Sequence, residues 1–462
     1  MLYFYPLVSL TCIVLIAYMP VFSFLSFVFL VPIIFFFEES TSRLYNFLGG
    51  FFTGALLFSI PMAGLVNLSW FIYLIITIAV GSIYGVTTLL LSKRFWGSSK
   101  LFRMVTLLLS WILIEYALSS YALFGASAIP LSFGYAIVNT PFTKVSNVSG
   151  VHGASVFLLA SNYLVYSLMK KDYSSNHFYI ALSLLTGIYL LTYVTKERIH
   201  SAIPIRITLV EPRITREADN LANRSRYVSE IIESALKSEA ETLSTDLVVY
   251  PESTFSINTN IQTFTRKIRS RVAIFGGSRL KNGLLYNSVY IKDGKAQYWL
   301  RDKNILVPYF ETNYTKGSKG FIPFGTLGIN TIILICWESV FESQIRIADN
   351  DQQNLITIIS NDTFAEGTLT PQWHFNTAHL LAATLGRYVI YSSQKGPSGV
   401  FKYDGTEIPP ISKTRNSDQY KLAFDKSYAT LYDRFGDWIG LTCSLSFFVC
   451  FLSMLKGLHK SN

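Results

Sequence analysis

Three segments in the C-terminal half of this 462-residue chain each carry a residue type that thiol acyl-transfer chemistry needs. They are Val248-Val249-Tyr250-Pro251-Glu252-Ser253, Lys303-Asn304-Ile305-Leu306-Val307-Pro308 and Ile333-Leu334-Ile335-Cys336-Trp337-Glu338. Acyl transfer through an enzyme thiol needs a thiolate, or a thiol beside a base. It also needs positive charge or N–H donors where the oxyanion forms. Glu252 closes an apolar run and could take the Cys336 proton. Lys303 could supply charge to both the thiolate and the tetrahedral intermediate. Taken singly, Cys336 reads as a small buried hydrophobe, Glu252 as a strand end and Lys303 as a surface charge. The three together, in this order and setting, favour a site. No histidine stands next to these motifs in the sequence, which argues against a Cys–His pair.

Short β-branched runs supply the elements that must carry these residues. Strands are predicted at Ile205–Val210, Leu247–Tyr250, Val272–Gly276, Ser288–Ile291, Thr331–Ile335, Leu355–Ser360 and Tyr388–Ser392. Asn220–Lys237 has the apolar spacing of one helix face, and Thr377–Gly386 reads as a second helix. Buried strands alternating with helices predict an α/β layer domain. The lone pair in Phe275-Gly276-Gly277-Ser278 reads as a tight turn rather than a phosphate cradle.

Half of all residues are hydrophobic, too many for an ordinary soluble enzyme. Apolar stretches of spanning length or near it fall at about 3–19, 22–37, 46–65, 70–92, 104–124, 154–169, 178–195 and 439–455. The expected organisation is a transmembrane helical bundle over 1–195, a globular domain over 196–438, and a last span with its tail over 439–462. Met1-Leu2-Tyr3-Phe4 lacks a basic start and a cleavage site, so the first stretch reads as a retained helix, not a signal peptide. Basic loops around Lys93–Arg103, Lys170-Lys171 and Lys456–Lys460 share one side if the N-terminus is inside, which puts 196–438 outside. Segment 125–150 reads as a partly inserted loop. Glu115, inside the fifth stretch, is either a functional carboxylate or a hydrogen-bonded structural one.

The net charge of +10 is accounted for by these loops, and no basic stripe with interleaved aromatics suggests nucleic acid. Of four cysteines, Cys12, Cys443 and Cys450 lie in apolar stretches, which leaves Cys336 as the globular thiol. No disulfide framework, metal motif or cofactor fingerprint can be assembled.

With these residues in hand, the sequence resembles the apolipoprotein N-acyltransferase family, the membrane-bound branch of the nitrilase (carbon-nitrogen hydrolase) superfamily. Tyr250-Pro251-Glu252-Ser253 resembles its glutamate motif. Lys303-Asn304-Ile305-Leu306-Val307-Pro308 with Glu311 resembles its lysine motif, and Ile335-Cys336-Trp337-Glu338-Ser339-Val340-Phe341 its cysteine motif. Ser360-Asn361-Asp362 and Thr430–Trp438 match further segments, as do Trp111 with Glu115, Phe133-Gly134-Tyr135 and Gly150. The resemblance implies a membrane α-helical bundle plus an α/β domain, a nitrilase-like αββα sandwich inserted before the last transmembrane helix. It implies a ping-pong reaction in which Cys336 takes an acyl chain from a phospholipid as a thioester and passes it to the amine of a diacylglyceryl-cysteine lipoprotein. Glu252 would be general base and then acid, Lys303 the oxyanion stabiliser, and Glu311 and Glu338 supporting carboxylates. No cofactor is implied. The partners would be phospholipid, lipoprotein and the bilayer, in the bacterial inner membrane with the catalytic domain periplasmic.

The chain departs from the family's pattern at Thr363-Phe364-Ala365, at His379, Leu381 and Thr384, and at Gln394-Lys395-Gly396-Pro397. It also has a short arm of 24 residues between Glu311 and Cys336. Gly317 and Gly320 could hinge that arm as a lid whose Tyr314, Phe321 and Phe324 face acyl chains; the alternative is an ordinary surface loop. Other functional readings are a nitrilase-like membrane protein of a conjugative element with another amine acceptor, an amidase, and an inactive membrane scaffold.

Overall fold

The computed structural model describes residues 4–40, 42–91, 100–172, 176–212, 233, 236, 245–255, 260–348, 352–414 and 416–461. The chain forms two compact units, Met1–Thr195 with Thr430–Asn462, and Lys196–Ala429.

The first unit is helical. Among the described residues, Val21–Glu39, Leu65–Leu90 and Thr143–Met169 are long and apolar enough to cross a membrane. A bent pair, Val105–Ser119 with Tyr121–Ser127, makes a fourth if counted as one span. Tyr5–Ile16, Phe178–Leu191 and Trp438–Ser453 are apolar but shorter. Proline explains part of the shortfall from the eight expected stretches. The helix starting at Arg43 stops at Ser59, ahead of Pro61, which has no backbone N–H to continue the ladder, although Ile60 itself keeps helical backbone angles. Helices Arg43–Ser59 and Leu65–Leu90 meet through glycines. A Cβ on Gly54 would lie 2.5 Å from the Tyr84 ring, and one on Gly81 2.9 Å from Phe51 O, so only small residues allow this approach.

Segment 125–150 is packed inside this unit. Phe133, Gly134 and Tyr135 are buried, and Glu115 accepts from the Phe133 N–H at 3.1 Å, from Ser132 at 3.0 Å and from Ser155 at 2.7 Å. Its carboxylate thereby ties the segment to two helices.

The second unit contains fifteen described strands. In chain order they are β1 (Lys196–Ile199), β2 (Ile205–Val210), β3 (Leu247–Val249), β4 (Val272–Lys281), β5 (Leu284–Asp293), β6 (Ala296–Asp302), β7 (Pro323–Thr326) and β8 (Ile329–Ile335), then β9 (Leu355–Ser360), β10 (Tyr388–Ser393), β11 (Gly399–Phe401), β12 (Glu407–Ile408), β13 (Ser412–Lys413), β14 (Ser417–Leu422) and β15 (Lys426–Ala429). One sheet has the order β13-β14-β2-β3-β4-β5-β6 and the other β12-β11-β10-β9-β8-β7, while β1 pairs with β15. The centres β2-β3-β4 and β8-β9-β10 are parallel.

Side-chain alternation sets the layers. Ile205, Ile207, Leu209, Leu247 and Val249 share one core with Ile333, Ile335, Leu355, Ile359 and Ile390, so the two sheets pack face to face. Val210, Val248, Tyr250 and Phe275 turn the other way, onto Phe264 of helix Ile261–Lys267. Helix Thr370–Leu385 packs against β10 on the second sheet. This is the αββα layering implied by the resemblance.

Helix Thr370–Leu385 begins a full two turns before the predicted 377, with Pro371 in its first turn, and Gly386 closes it in the left-handed region at φ +65°. Of the other predicted helix, Asn220–Lys237, all but Glu233 and Leu236 lie outside the described residues; Leu236 packs against the Phe264 cluster.

Candidate active site

Each motif residue leaves a strand end of the second unit. Glu252 follows β3, Lys303 follows β6 directly, and Cys336 follows β8 as the first residue of a 3-10 turn, Cys336–Val340. A strand end frees side chains from the ladder while the buried sheet fixes their backbone, which is what a preorganised site needs.

Lys303 and the two carboxylates meet. Lys303 Nζ lies 2.9 Å from Glu311 Oε1 and 3.2 Å from Glu252 Oε1, with the lysine 1% exposed. Glu311 is held by the Val307 N–H on its Oε2 at 2.7 Å. Asn287 on β5 donates to Glu252 at 2.6 Å and to Glu311 at 3.3 Å. Nothing in the local sequence marks Asn287; the β4-β5-β6 register puts it there, and its own carbonyl accepts from the Lys303 N–H at 2.7 Å.

Burial and charge act against each other here. Burial disfavours the Lys303 ammonium, but Glu252 and Glu311 outweigh it and hold the lysine charged well above its usual range. Burial pushes the Glu252 carboxyl up; Lys303 opposes that and Glu311 adds to it. A carboxylate raised in this way is the stronger base. Burial also raises Cys336 well above an ordinary thiol, with Glu252 adding and Lys303 subtracting. The thiol thus feels both motif charges, and at rest it keeps its proton.

Cys336 has φ +47°. A left-handed non-glycine residue costs of order 1–3 kcal/mol and persists where its surroundings over-determine it. Glu338 does part of that work: it accepts from the Ile335 N–H at 2.8 Å and the Asn304 N–H at 2.6 Å, and pairs with Arg301. Arg301 carried no signal in the sequence beyond its place next to the lysine motif.

Three sequence readings change. Gly276 and Gly277 lie inside β4, not in a turn. A Cβ on Gly276 would stand 2.7 Å from Glu252 Cα, so glycine here lets the strand pass behind the carboxylate. The arm is pinned at Gly317, whose N–H donates to Lys303 O at 2.8 Å and whose Cβ would lie 2.6 Å from Asp302 O. That glycine serves a close approach rather than a hinge. Phe324 is buried between the sheets, and Phe321 lies over the Arg301 guanidinium at 5.0 Å.

The third change concerns histidine. Helix Thr370–Leu385 brings His374 to the cysteine turn, where Nε2 is 2.9 Å from Ser339 Oγ and 3.3 Å from Cys336 O. Its Nδ1 is 2.9 Å from Asp362. Cys336 Sγ, an Asp362 oxygen and a His374 nitrogen all lie within 4.8 Å of one another, a grouping that could hold a metal ion among the described residues. The ring nitrogens are already engaged, however, and Asp362 also accepts from Ser360, Tyr391 and Ser393 at 2.9–3.0 Å. The arrangement therefore reads as a hydrogen-bond network behind the thiol. Asp362 lay in a recognised motif, but His374 stands 38 positions after Cys336, and only the tertiary fold joins them.

Residues 220–417, the stretch that carries the strand-end site, match the carbon-nitrogen hydrolase family model. Within it, the family that this chain resembles is that of the apolipoprotein N-acyltransferases. The enzyme of that name from Wigglesworthia glossinidia brevipalpis is 25% identical over 362 residues, 70% of this chain and 69% of the relative. That of Haemophilus ducreyi is 23% identical over 385 residues, 72% of each chain. Among solved structures, a CN-hydrolase superfamily protein of Xanthomonas campestris is 16% identical, covering 48% of this chain and 91% of its own, with a TM-score of 0.38.

Proposed function

We propose that this protein is an acyltransferase that moves a fatty acyl chain from a phospholipid to the N-terminal amine of a diacylglyceryl-cysteine lipoprotein, through a thioester on Cys336. The observation that carries the reading is the buried Lys303 ammonium between Glu252 and Glu311, in electrostatic reach of a strained thiol. The names of the relatives support the acceptor.

Glu252 takes the Cys336 proton as Sγ attacks the phospholipid ester carbonyl. The Lys303 ammonium faces the oxyanion, where it acts only as charge develops. Collapse expels the lysophospholipid alkoxide, which takes the proton from Glu252 and leaves the thioester. In the second half-reaction the lipoprotein amine attacks the thioester, Glu252 accepts the ammonium proton, and the thiol is regenerated as the amide forms. Glu311 keeps Lys303 in place, and Glu338 keeps Cys336 in its turn. Because the resting thiol is protonated, the base is required in the first step.

In this reading, residues 1–195 and 439–462 embed the protein in the bacterial inner membrane as a multi-pass bundle, and 196–438 face the periplasm. The apolar helices and the sided basic loops support that placement.

The test is intact-protein mass spectrometry after mixing the detergent-solubilised chain with phospholipid. A hydroxylamine-labile acyl adduct on Cys336, absent in Cys336→Ala and discharged by a diacylglyceryl-cysteine peptide, is expected. An adduct elsewhere, or acyl transfer by Cys336→Ala, ends the proposal.

A further inference from the structure

The two half-reactions make different demands on the site. The Cys336 thiol brings one hydrogen to the phospholipid ester, and Glu252 takes it. The lipoprotein amine brings two. As its nitrogen bonds to the thioester carbon and the C–S bond breaks, one N–H proton passes to Glu252 and on to Sγ. The other stays on nitrogen and ends in the amide. A buried N–H without an acceptor is costly, so this second hydrogen needs an oxygen of its own. Lys303 cannot serve, because an ammonium only donates.

Gln394 carries an oxygen free for that task. It is the first residue after β10, it is 1% exposed, and it opens one of the segments in which the chain departs from the family's pattern. Its backbone N–H donates to Ser360 O at 3.0 Å, which fixes it against the end of β9. Its side-chain Nε2 donates to the Glu252 carbonyl oxygen at 3.1 Å. A carbonyl only accepts, so this contact decides which end of the amide is nitrogen. The other end, Oε1, is buried and has no hydrogen-bond partner among the described residues.

Strand geometry puts this amide beside the reacting groups. Along β10, Ser392 Oγ turns to Val210 O and Val249 O of the first sheet, both at 3.3 Å. Ser393 Oγ turns the other way, to Asp362, and Gln394 turns back to the first sheet at Glu252. Between the sheets, Cys336 packs in one core with Ile359 of β9. That strand lies between β8 and β10, with Ile335 opposite Ile359 and Ser393 opposite Ser360. Cys336 and Gln394 thus follow the ends of the two strands that flank β9, roughly 10 Å apart at the backbone, two strand spacings. A Cβ on Gly276 would lie 2.7 Å from Glu252 Cα and 3.1 Å from Ile359 Cδ1, so Glu252 and β9 border the same point. The base therefore has the thiol toward β8 and the Gln394 amide toward β10.

We propose that Gln394 is a specificity-determining residue for the acyl acceptor: its Oε1 accepts the N–H that a primary amine keeps while Glu252 takes the other, so the acyl-enzyme favours amines over thiols and alcohols, which bring a single hydrogen.

The role rests on the acyl-transfer reading and deepens it. The first half-reaction does not use Oε1, since neither thiol nor ester brings a second donor. The amine is the first group to supply one. Because Nε2 is bonded to the backbone of the base, the acceptors for the amine's two hydrogens are held together.

The test loads Cys336 of the full chain, in detergent, with a small p-nitrophenyl ester, so that it does not depend on phospholipid. Intact-protein mass spectrometry then follows discharge of the acyl-enzyme by glycinamide or by mercaptoacetamide, a thiol on the same skeleton. The ratio of amine to thiol rates should fall about tenfold in Gln394→Met, the worth of one hydrogen bond. Gln394→Glu loses the Nε2 donor and keeps an acceptor, so its ratio should stay close to that of wild type however much both rates suffer. A residue that only held Glu252 in place would slow both nucleophiles alike. An unmoved ratio in Gln394→Met, or one that falls as far in Gln394→Glu, overturns the proposal. If Gln394→Met does not fold, Gln394→Asn, which withdraws the amide by one methylene, takes its place and should lower the same ratio. If wild-type Cys336 takes no acyl group from the ester or from phospholipid, the acyl-transfer reading fails and the role of Gln394 falls with it. An acylated Cys336 with an unmoved ratio ends the role of Gln394 alone.

Discussion

Arg301 donates from Nη1 to Glu338 Oε1 at 3.0 Å, with neither side chain reaching solvent. The arginine also donates to Ile333 O at 2.6 Å, and the glutamate accepts from the Asn304 N–H. One ion pair thus ties the strand that ends on Cys336 to the strand that ends on Lys303, across the two sheets. Removing one partner of a buried pair strands a charge and typically costs about 3–5 kcal/mol, whereas replacing both by apolar groups costs far less. Glu338→Leu and Arg301→Met should each lower the unfolding temperature sharply, and the double variant should recover much of the loss. Equal or additive losses in thermal unfolding would mean that the pair does not act as one unit.

Glu252 and Lys303 should act on the thiol with opposite sign and on catalysis with the same sign. Glu252→Gln removes a charge that pushes Cys336 up, so thiol alkylation should move to lower pH; Lys303→Met removes an opposing charge, so it should move to higher pH. Both should cut thioester formation, Lys303→Met by roughly 10²–10³ as for a lost oxyanion donor. Groups that act as a unit give non-additive losses, so the double variant should be scarcely slower than either single one. Multiplicative losses, or alkylation shifts of one sign, would separate the two residues from one site.

Gly317 should be needed for geometry, not for motion. A methyl there would press on Asp302 O and on Asn304 Oδ1 at 2.7 Å, either side of Lys303. Displacing a reacting group by about 1 Å can cost of order 10² in rate. Gly317→Ala should therefore slow acylation by phospholipid and by a small soluble ester alike. A loss confined to phospholipid would restore the lid.

His379, buried flat against Phe401 with ring centres 4.6 Å apart, is lowered to about 4 by burial. Its depressed folded value means that the neutral form is favoured in the fold. The associated stability is present above the unfolded value, about 6.5, and is lost as pH falls through that value toward 4. The loss should reach about 3 kcal/mol at most, from 1.36 kcal/mol per pH unit. Unfolding followed from pH 7 to pH 4 should show this slope in wild type and lose it in His379→Leu.

Sidedness follows from the basic loops. A cysteine introduced at the exposed Asn282, in the β4–β5 hairpin, should react with an impermeant reagent in spheroplasts; one at Ser461 should react only after lysis. The reverse pattern would deny the protein access to exported lipoproteins.

Sequence alone placed β2, β3, β4, β5, β8, β9 and β10, because strands buried on both faces must be continuous β-branched runs. It also picked out Glu252, Lys303 and Cys336, since polar residues stand out beside such runs, whereas Glu311 came only with the family resemblance. The short strands β11, β12 and β13 were not legible: they are two or three residues long and owe their existence to pairing. The long apolar stretch 46–65 read as a single span, while the regular helix ends at Ser59, just ahead of Pro61, which has no N–H to carry its ladder on. What the tertiary structure decided is which distant groups meet. Asn287 reaches Glu252 through strand register, Arg301 finds Glu338 between the sheets, and His374 reaches Cys336 because one helix packs over the end of β8. Hydropathy and motif spacing report on a residue's own run of chain, whereas a hydrogen bond between residues 35 or more apart in sequence depends on how those runs stack.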